Sequence, residues 1–204
     1  MIEVVKNFIE KYNLSGTFIV AFSGGYDSMC LLDIMHKLNL RTVAVHLNHN
    51  WRGEESLNEA KNCEEFAKAT GIEFYSEILP EDIAKTETAA REARYDFFKR
   101  CAERFNTNII FTAHNADDNA ETVLYRIIKG TGTKGLGGIS EHRDIFYRPL
   151  LTVKREDIEN YCRENNLTPN CDSSNSNTKY KRNFIRHKIL PLLKEINPKV
   201  TDAV

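Results

Sequence analysis

Residues 17–28 read TFIVAFSGGYDS, and the organisation of the rest of the chain follows from them. The apolar run that opens this segment predicts a buried β-strand, and a helix is expected to start near Ser28. Between the two, Gly24 and Gly25 can adopt backbone angles closed to other residues and leave room for a ligand against the main chain. The first N–H groups of a helix have no partner within it, so this turn is predicted to bind an anion, most naturally a phosphate.

Strands and helices alternate along the first two thirds of the chain. The hydrophobic pattern predicts strands at 42–47, 72–78 and 108–112 and helices at 2–12, 29–38, 54–70, 86–105 and 116–129. This order predicts an α/β fold with a doubly wound parallel sheet. Ligands bind such sheets at the carboxyl ends of the strands. Polar residues follow three of the predicted strands there, at 23–28, 46–52 and 114–118.

The last third of the chain is less regular. Residues 131–143 carry four of the ten glycines and predict a mobile loop rather than an element. A short strand at 146–151 and a helix at 153–165, with Thr152 as its cap, are expected next. Residues 168–179 predict a polar loop, 182–193 a basic helix, and the residues after Pro198 the start of another helix.

Composition limits the class of protein. The 204 residues suffice for one large domain, or one domain with a short appendage. No apolar run approaches the roughly 20 residues that cross a bilayer, and the first residues lack the order of a secretory signal, so we expect a cytoplasmic protein without a membrane partner. The five cysteines form no C-x-x-C pair, which disfavours a disulfide framework, a zinc site or an iron-sulfur site. The net charge of -1 argues against indiscriminate polyanion binding and confines any nucleic-acid contact to local patches.

Two features narrow the chemistry at the predicted phosphate site. No lysine follows the glycines, so the turn differs from the G-x-x-x-x-G-K-[ST] loop and transfer of a γ-phosphate is disfavoured. Asp117 and Glu121 are four residues apart, which would place two carboxylates on one face of a helix beside the fourth strand. Such a pair can hold Mg²⁺ or bind an ammonium group, or the acidic residues can simply stabilise the start of the helix.

The segment SGGYDS resembles the pyrophosphate loop (PP-loop) of the ATP pyrophosphatases, which transfer AMP to an oxygen and release pyrophosphate. Further segments are similar, in the same order, to the tRNA(Ile)-lysidine synthetases; they lie at 46–52, 114–122, 126–136, 148–151, 172–175 and 182–193. This resemblance implies a Rossmann-like PP-loop catalytic domain over residues 1–150. It also implies a helical extension of the same domain over 151–204 with a basic tRNA-contacting segment, and the absence of the family's C-terminal domains.

The resemblance also implies an activity and its partners. Members of that family bind ATP, Mg²⁺, L-lysine and an isoleucine tRNA, tRNA(Ile), with a CAU anticodon. They adenylate the C2 oxygen of the wobble cytidine and then displace AMP with the ε-amine of lysine, which yields lysidine.

Roles for individual residues follow from the same resemblance. Residues expected to contact ATP are Ser23, Gly24, Gly25, Asp27, Ser28, Asn48, His49, Arg52 and His114. Asp27 and Asp118 are expected to hold the metal, and Asp117 and Glu121 to bind lysine. The arginines expected to face the RNA are Arg91, Arg94, Arg148, Arg182 and Arg186. We expect Asp27, Asp117, Glu121 and Arg94 to take part in catalysis.

Plainer interpretations remain open for several of these side chains. Arg91 fits a solvated basic helix face, His49 a loop histidine, and Arg182 with Arg186 the exposed side of a helix that packs through Phe184 and Ile185. Two other functions also remain open, a PP-loop tRNA thiolase and a non-catalytic nucleotide- or RNA-binding module. Thiolases generally rely on a reactive cysteine or C-x-x-C pairs, and the sequence has no such pair. It leaves open whether the protein forms a homodimer.

Overall fold

The computed structural model describes residues 1–80, 83–84, 86–170 and 181–203. Its helices are α1 (Ile2–Lys11), α2 (Tyr26–Lys37), α3 (Glu54–Ala69), α4 (Glu87–Arg104), α5 (Ala116–Lys129), α6 (Thr133–Leu136), α7 (Arg155–Glu164), α8 (Lys181–Phe184), α9 (Leu190–Ile196) and α10 (Val200–Ala203). A π-helical segment (Ile185–Ile189) joins α8 to α9. The strands are β1 (Phe18–Ala21), β2 (Thr42–Asn48), β3 (Glu73–Ile78), β4 (Ile110–Phe111), β5 (His142–Arg143) and β6 (Phe146–Tyr147).

The strands form one sheet in the order β3-β2-β1-β4-β6-β5. Every neighbouring pair is parallel except β5 with β6. The chain builds the sheet outward from β1 to one side, through β2 and β3, and then crosses to β4 on the other side. The order therefore reverses between β1 and β4, the point where doubly wound sheets leave a crevice for ligands.

Both faces of the sheet are covered, as the alternation of strands and helices predicts. Phe18 and Val20 of β1 pack with α1, α2 and α7 on one face, whereas Ile19 packs with α4 on the other. These three side chains are at most 1% exposed, which explains why β1 is apolar at every position rather than at alternate ones. The predicted fold class, a doubly wound parallel α/β sheet, is confirmed.

The predictions for the last third of the chain need correction. Residues 131–143 are not all loop, because they contain α6 and β5. Arg126 of α5 holds this stretch by donating two hydrogen bonds, to the carbonyls of Gly135 at 3.0 Å and Gly138 at 2.7 Å.

The caps and ends of later elements also differ from expectation. Thr152 does not cap α7; Lys154 is the N-cap, because a turn that links the Val153 N–H to the Leu150 carbonyl precedes the helix. The predicted helix at 182–193 contains the π-helical segment and continues to Ile196. A helix does follow Pro198, as predicted. Residues 171–180, which include most of the predicted polar loop and the family-like segment 172–175, lie outside the described residues.

No helix in the described part of the chain combines the length and the apolar character needed to cross a bilayer.

Candidate active site

The turn between β1 and α2 is the first part of the candidate site. Gly24 has a φ of +80°, in the left-handed region that favours glycine, and Gly25 is the N-cap of α2 without a side-chain cap. The Ser28 hydroxyl lies 3.1 Å from the Ser23 hydroxyl and donates to the Gly25 carbonyl at 3.1 Å. These short polar contacts shape the turn, and the first N–H groups of α2 have no partner within the helix.

Gly24 is also packed too closely to carry a side chain. A Cβ built there would lie 2.4 Å from Asn170 Nδ2 and 2.7 Å from Cys63 Sγ. The Asn170 backbone N–H donates to the Gly24 carbonyl at 2.9 Å, and its side chain reaches the Glu59 carbonyl at 3.2 Å. The turn is therefore clamped between α3 and the segment that follows α7.

The ends of β1 and β4 meet through a hydrogen bond between two side chains. Asn115, which is fully buried, donates from Nδ2 to Asp27 Oδ1 at 2.8 Å. Asn115 is also the N-cap of α5, where it forms a reciprocal capping box with Asp118. The N-termini of α2 and α5 thus share one crevice at the reversal of the sheet order. Burial raises the pKa of Asp27, and the positive charge of Arg155 partly offsets this.

Two of the carboxylates of α5 bind arginines from the C-terminal helices. Asp118 and Glu121 share the guanidinium of Arg186, whose Nη2 lies 3.0 Å from Asp118 Oδ1 and 3.1 Å from Glu121 Oε2. Arg186 Nε donates to the second oxygen of Glu121, which is fully buried. Arg182 Nη2 lies 3.6 Å from an oxygen of each carboxylate.

Asp117 contacts other groups than Glu121 does, so the two carboxylates have different partners in this structure. Asp117 Oδ2 accepts a hydrogen bond from the backbone N–H of Arg155 at 2.9 Å, and Oδ1 lies 3.6 Å from Lys194 Nζ. The physical reason is the start of α7, whose free N–H groups attract the nearest carboxylate. In this structure Arg186 engages carboxylates, so the expected contact between Arg186 and RNA would require it to leave them.

The polar residues after β2 hold their own loop in place. Asn48 is buried and donates to the Ser56 carbonyl at 3.1 Å, and Arg52 pairs with Glu55 at 2.8 Å and Glu59 at 2.6 Å. His49 lies beside them with a buried Nδ1 that has no hydrogen-bond partner among the described residues. Burial, reinforced by the positive charge of Arg94, lowers the pKa of His49 to about 4, so its imidazole is neutral at pH 7.

The remaining expected residues divide into exposed and buried ones. Arg91 and Arg94 are exposed on α4, with the Arg91 guanidinium 5.3 Å from the centre of the Tyr95 ring. Arg148 is buried instead, and it donates to the Ser140 carbonyl at 2.8 Å.

His114 lies at the end of β4, with Nδ1 3.0 Å from the Thr112 hydroxyl, and burial lowers its pKa to about 4. His114 is therefore neutral at pH 7, so it can accept or donate a hydrogen bond in the crevice but brings no positive charge to it.

Three residues of the site were not predicted from the sequence. Asn115 could have been found, because an Asn followed three residues later by an acidic residue is a capping signal. Asn170 and Arg155 gave no local signal, since their partners Gly24 and Asp27 lie far away in sequence.

Neither the cysteines nor the acidic residues build a metal cluster in the described ranges. No three His, Cys, Asp or Glu side chains there converge on a point that could hold a metal ion. Cys30, Cys63, Cys101 and Cys162 are buried free thiols, and burial raises the pKa of both Cys63 and Cys101 to about 12. Both thiols are poor nucleophiles at neutral pH.

Comparison with known proteins agrees with this geometry. A family model described as a PP-loop domain matches residues 2–193. A tRNA(Ile)-lysidine synthase from Clostridium tetani is 41% identical over 209 residues, which are 96% of this chain and 45% of that protein. The enzyme of the same name from Thermotoga maritima is 45% identical over 196 residues, 91% of this chain and 47% of the relative. The chain thus spans about half the length of the curated relatives it matches.

Solved structures share the fold at low sequence identity. A U34-tRNA thiolase from Methanococcus maripaludis, solved with its 4Fe-4S cluster, superimposes with a TM-score of 0.78 at 17% identity, covering 99% of this chain and 74% of that one. An NMN synthetase from Francisella tularensis gives a TM-score of 0.58 at 15% identity, covering 81% and 69% of the two chains. At such identities the similarity shows the fold and nothing finer.

Proposed function

Because this chain belongs to the PP-loop domain family, we propose that it binds ATP at the turn after β1 and releases pyrophosphate. The observation that carries this proposal is the left-handed Gly24 beside the N-terminus of α2, whose N-cap residue is itself a glycine, Gly25. Backbone N–H groups at a helix start bind phosphate, and the Ser23 and Ser28 hydroxyls add donors on the same side. The proposed roles of Asn48, His49 and Arg52 at the adenosine rest on their position at the end of β2, the neighbour of β1.

The acceptor of the AMP is proposed to be a tRNA. The curated relatives are named tRNA(Ile)-lysidine synthase, and the chain matches them over at least 91% of its length. We therefore propose that the C2 oxygen of the wobble cytidine in a CAU-anticodon tRNA(Ile) attacks the α-phosphorus and pyrophosphate leaves. The ε-amine of L-lysine then attacks C2, AMP departs with the C2 oxygen, and the amine loses a proton. Such a reaction would take place in the cytoplasm.

Mg²⁺ fits the site through Asp27 better than through Asp118. Mg²⁺ is usually held by one or two carboxylates together with substrate phosphates, so a pre-formed cluster of ligands is not required. Asp118 already serves the capping box and Arg186, whereas Asp27 stands beside the phosphate-binding turn. The ion would neutralise part of the triphosphate charge there.

Lysine recognition is proposed to use the acidic face of α5. The crevice accepts cations at Glu121, where Arg186 now sits, and at Asp117, where the ε-ammonium of Lys194 lies 3.6 Å away. These contacts support binding of an ammonium group at either carboxylate. Asp117 and Glu121 are therefore both proposed to bind the lysine, each from its own side of the crevice.

A thiolase activity has less support. It would call for a reactive sulfur, and the four described cysteines are buried. The thiolase neighbour shares the fold but only 17% of its sequence.

The proposed function is tested by supplying ATP, radiolabelled lysine and a CAU-anticodon tRNA(Ile) transcript to the protein. We expect pyrophosphate release that depends on the tRNA, and label in the tRNA that depends on lysine and ATP. An Asp27→Asn variant is the inactive control, and a tRNA(Ile) with another anticodon is the substrate control. Release of ADP and phosphate, or label transfer to either tRNA alike, would refute the proposal.

A further inference from the structure

We propose that Arg155 is a substrate-contacting residue whose guanidinium binds the leaving pyrophosphate. This inference deepens the proposed function and rests on its placement of the ATP diphosphate at the turn after β1. Arg155 has no local signal in the sequence, and its place at the crevice follows from the structure alone.

The fold holds Arg155 at a fixed position beside the phosphate-binding turn. It is the first residue of α7, and its side chain Nη2 lies 3.4 Å from Asp27 Oδ2. Helix α7 is fastened to α2 by the Tyr161 hydroxyl, which donates to Asp33 Oδ2 at 2.7 Å. Further along the same contact, Cys162 Sγ lies 3.6 Å from the Tyr26 carbonyl. This packing keeps the Arg155 side chain beside Asp27, the second residue of α2.

The guanidinium has hydrogen-bonding capacity left over. Its Nε is buried and has no hydrogen-bond partner among the described residues. Its 3.4 Å contact with Asp27 is long for a charge-assisted N–H···O bond, which normally measures about 2.7–2.9 Å. A buried donor without a partner is costly, and a phosphate oxygen would satisfy it. The planar arrangement of donors in arginine suits two oxygens of one phosphate group.

Arg186, another cation of the crevice, is bound more closely to carboxylates than Arg155 is. Arg186 forms bonds to both Asp118 and Glu121, and Arg182 lies beside the same two carboxylates. Arg155 has Asp27 as its carboxylate partner, and Asp27 is the residue proposed to hold the metal. With Mg²⁺ held by Asp27, Arg155 would be available to bind the diphosphate instead of the carboxylate.

The exchange matters in the bond-breaking step. As the C2 oxygen of cytidine bonds to the α-phosphorus, the bond from that phosphorus to the bridging oxygen breaks and its electron pair stays on the departing pyrophosphate. Negative charge grows on that oxygen, and a guanidinium placed against it stabilises the developing charge without any proton transfer. Arg155 thereby lowers the barrier to breaking that bond.

The test measures binding of magnesium pyrophosphate and of AMP to the chain by titration calorimetry. Arg155→Ala should weaken pyrophosphate binding by about 10- to 100-fold, the loss of one or two charge-assisted hydrogen bonds, and leave AMP binding unchanged. Arg155→Lys keeps the charge and loses the planar guanidinium, so its affinity for pyrophosphate should lie between those of the parent chain and Arg155→Ala. Arg163→Ala, an exposed arginine near the other end of α7, is the matched control and should bind both ligands as the parent chain does.

Two results would overturn the inference. One is that Arg155→Ala and the parent chain bind pyrophosphate with equal affinity, or that neither of them binds it. The other is an equal loss of AMP and pyrophosphate affinity, which would indicate a merely structural role. Failure of the lysidine proposal is distinguishable, because a parent chain that transfers no lysine to tRNA could still show the selective loss of pyrophosphate binding that supports Arg155.

Discussion

Replacing Arg186 by methionine should destabilise the fold strongly, although the arginine lies on a helix that the sequence alone would place at the surface. Methionine keeps most of the unbranched stem and removes the charge. The change leaves Glu121, which is fully buried, without the cation that donates to both of its oxygens. It also removes the 3.0 Å contact with Asp118.

The expected magnitude follows from the burial of the partners. Removing one member of a buried ion pair typically costs about 3–5 kcal/mol, because the other charge stays buried and unpaired. The Arg186 side chain keeps 20% of its surface exposed, so water can partly replace it, and we expect the lower end, about 3 kcal/mol. In a domain of this size that loss corresponds to a fall in Tm of roughly 6–12 °C.

The assay is urea denaturation followed by circular dichroism, with a double-mutant cycle. Glu121→Gln combined with Arg186→Met should recover most of the lost stability, since no buried charge is left behind. Arg182→Met is the control, because Arg182 is 37% exposed and 3.6 Å from the same carboxylates, so its loss should cost less than about 1 kcal/mol. If Arg186→Met costs no more than Arg182→Met, the ion cluster does not stabilise the fold as argued.

Three further predictions concern the crevice itself. Asp27→Asn should abolish adenylation in single-turnover assays, and a normal rate would contradict the assignment of Asp27 to the metal. The Tm of this variant should be no lower than that of the parent chain, because burial makes the ionised carboxylate of Asp27 costly to the fold. Gly24→Ala should lower the free energy of unfolding, measured by urea denaturation, by at least about 2 kcal/mol, because the backbone there is left-handed and the new Cβ clashes with Asn170. Gly16 is also left-handed but has open space around it, so Gly16→Ala should cost only about 1 kcal/mol, and equal losses would refute the close packing at Gly24. The pKa of His49 is lowered to about 4, so the native state favours the neutral imidazole. The contribution of His49 to the free energy of unfolding is therefore complete above about pH 6.5 and is lost as the pH falls toward 4. Between pH 7 and pH 4.5, His49→Gln should therefore lose less stability than the parent chain, and parallel losses would show that His49 is already free to protonate.

The regular elements were predictable because they depend on local patterns. The unbroken apolar run of β1 and the helical spacing of α5 gave strand and helix within a few residues of their observed bounds. The turn at Gly24 was predictable for the same reason, since the strand, the two glycines and the helix start are adjacent in sequence.

The partners of the site residues were not predictable, because they come from distant parts of the chain. Asp117 accepts from a residue 38 positions later, and Glu121 binds an arginine 65 positions later. Four-residue spacing on a helix shows that two side chains can share a face, but the start of α7 and the C-terminal helices decide what each carboxylate contacts. The position of Arg155 at the crevice could not be predicted for the same reason, because it depends on how α7 packs against α2.

The proposed function requires that the turn after β1 binds the diphosphate of ATP, in the same crevice as the acidic start of α5. The most direct measurement is a crystal structure of the chain with Mg²⁺ and a non-hydrolysable ATP analogue. The β- and γ-phosphates should lie within hydrogen-bonding distance of the backbone N–H groups between Gly24 and Ser28, with Asp27 facing the metal. An analogue whose phosphates lie on another edge of the sheet would contradict it.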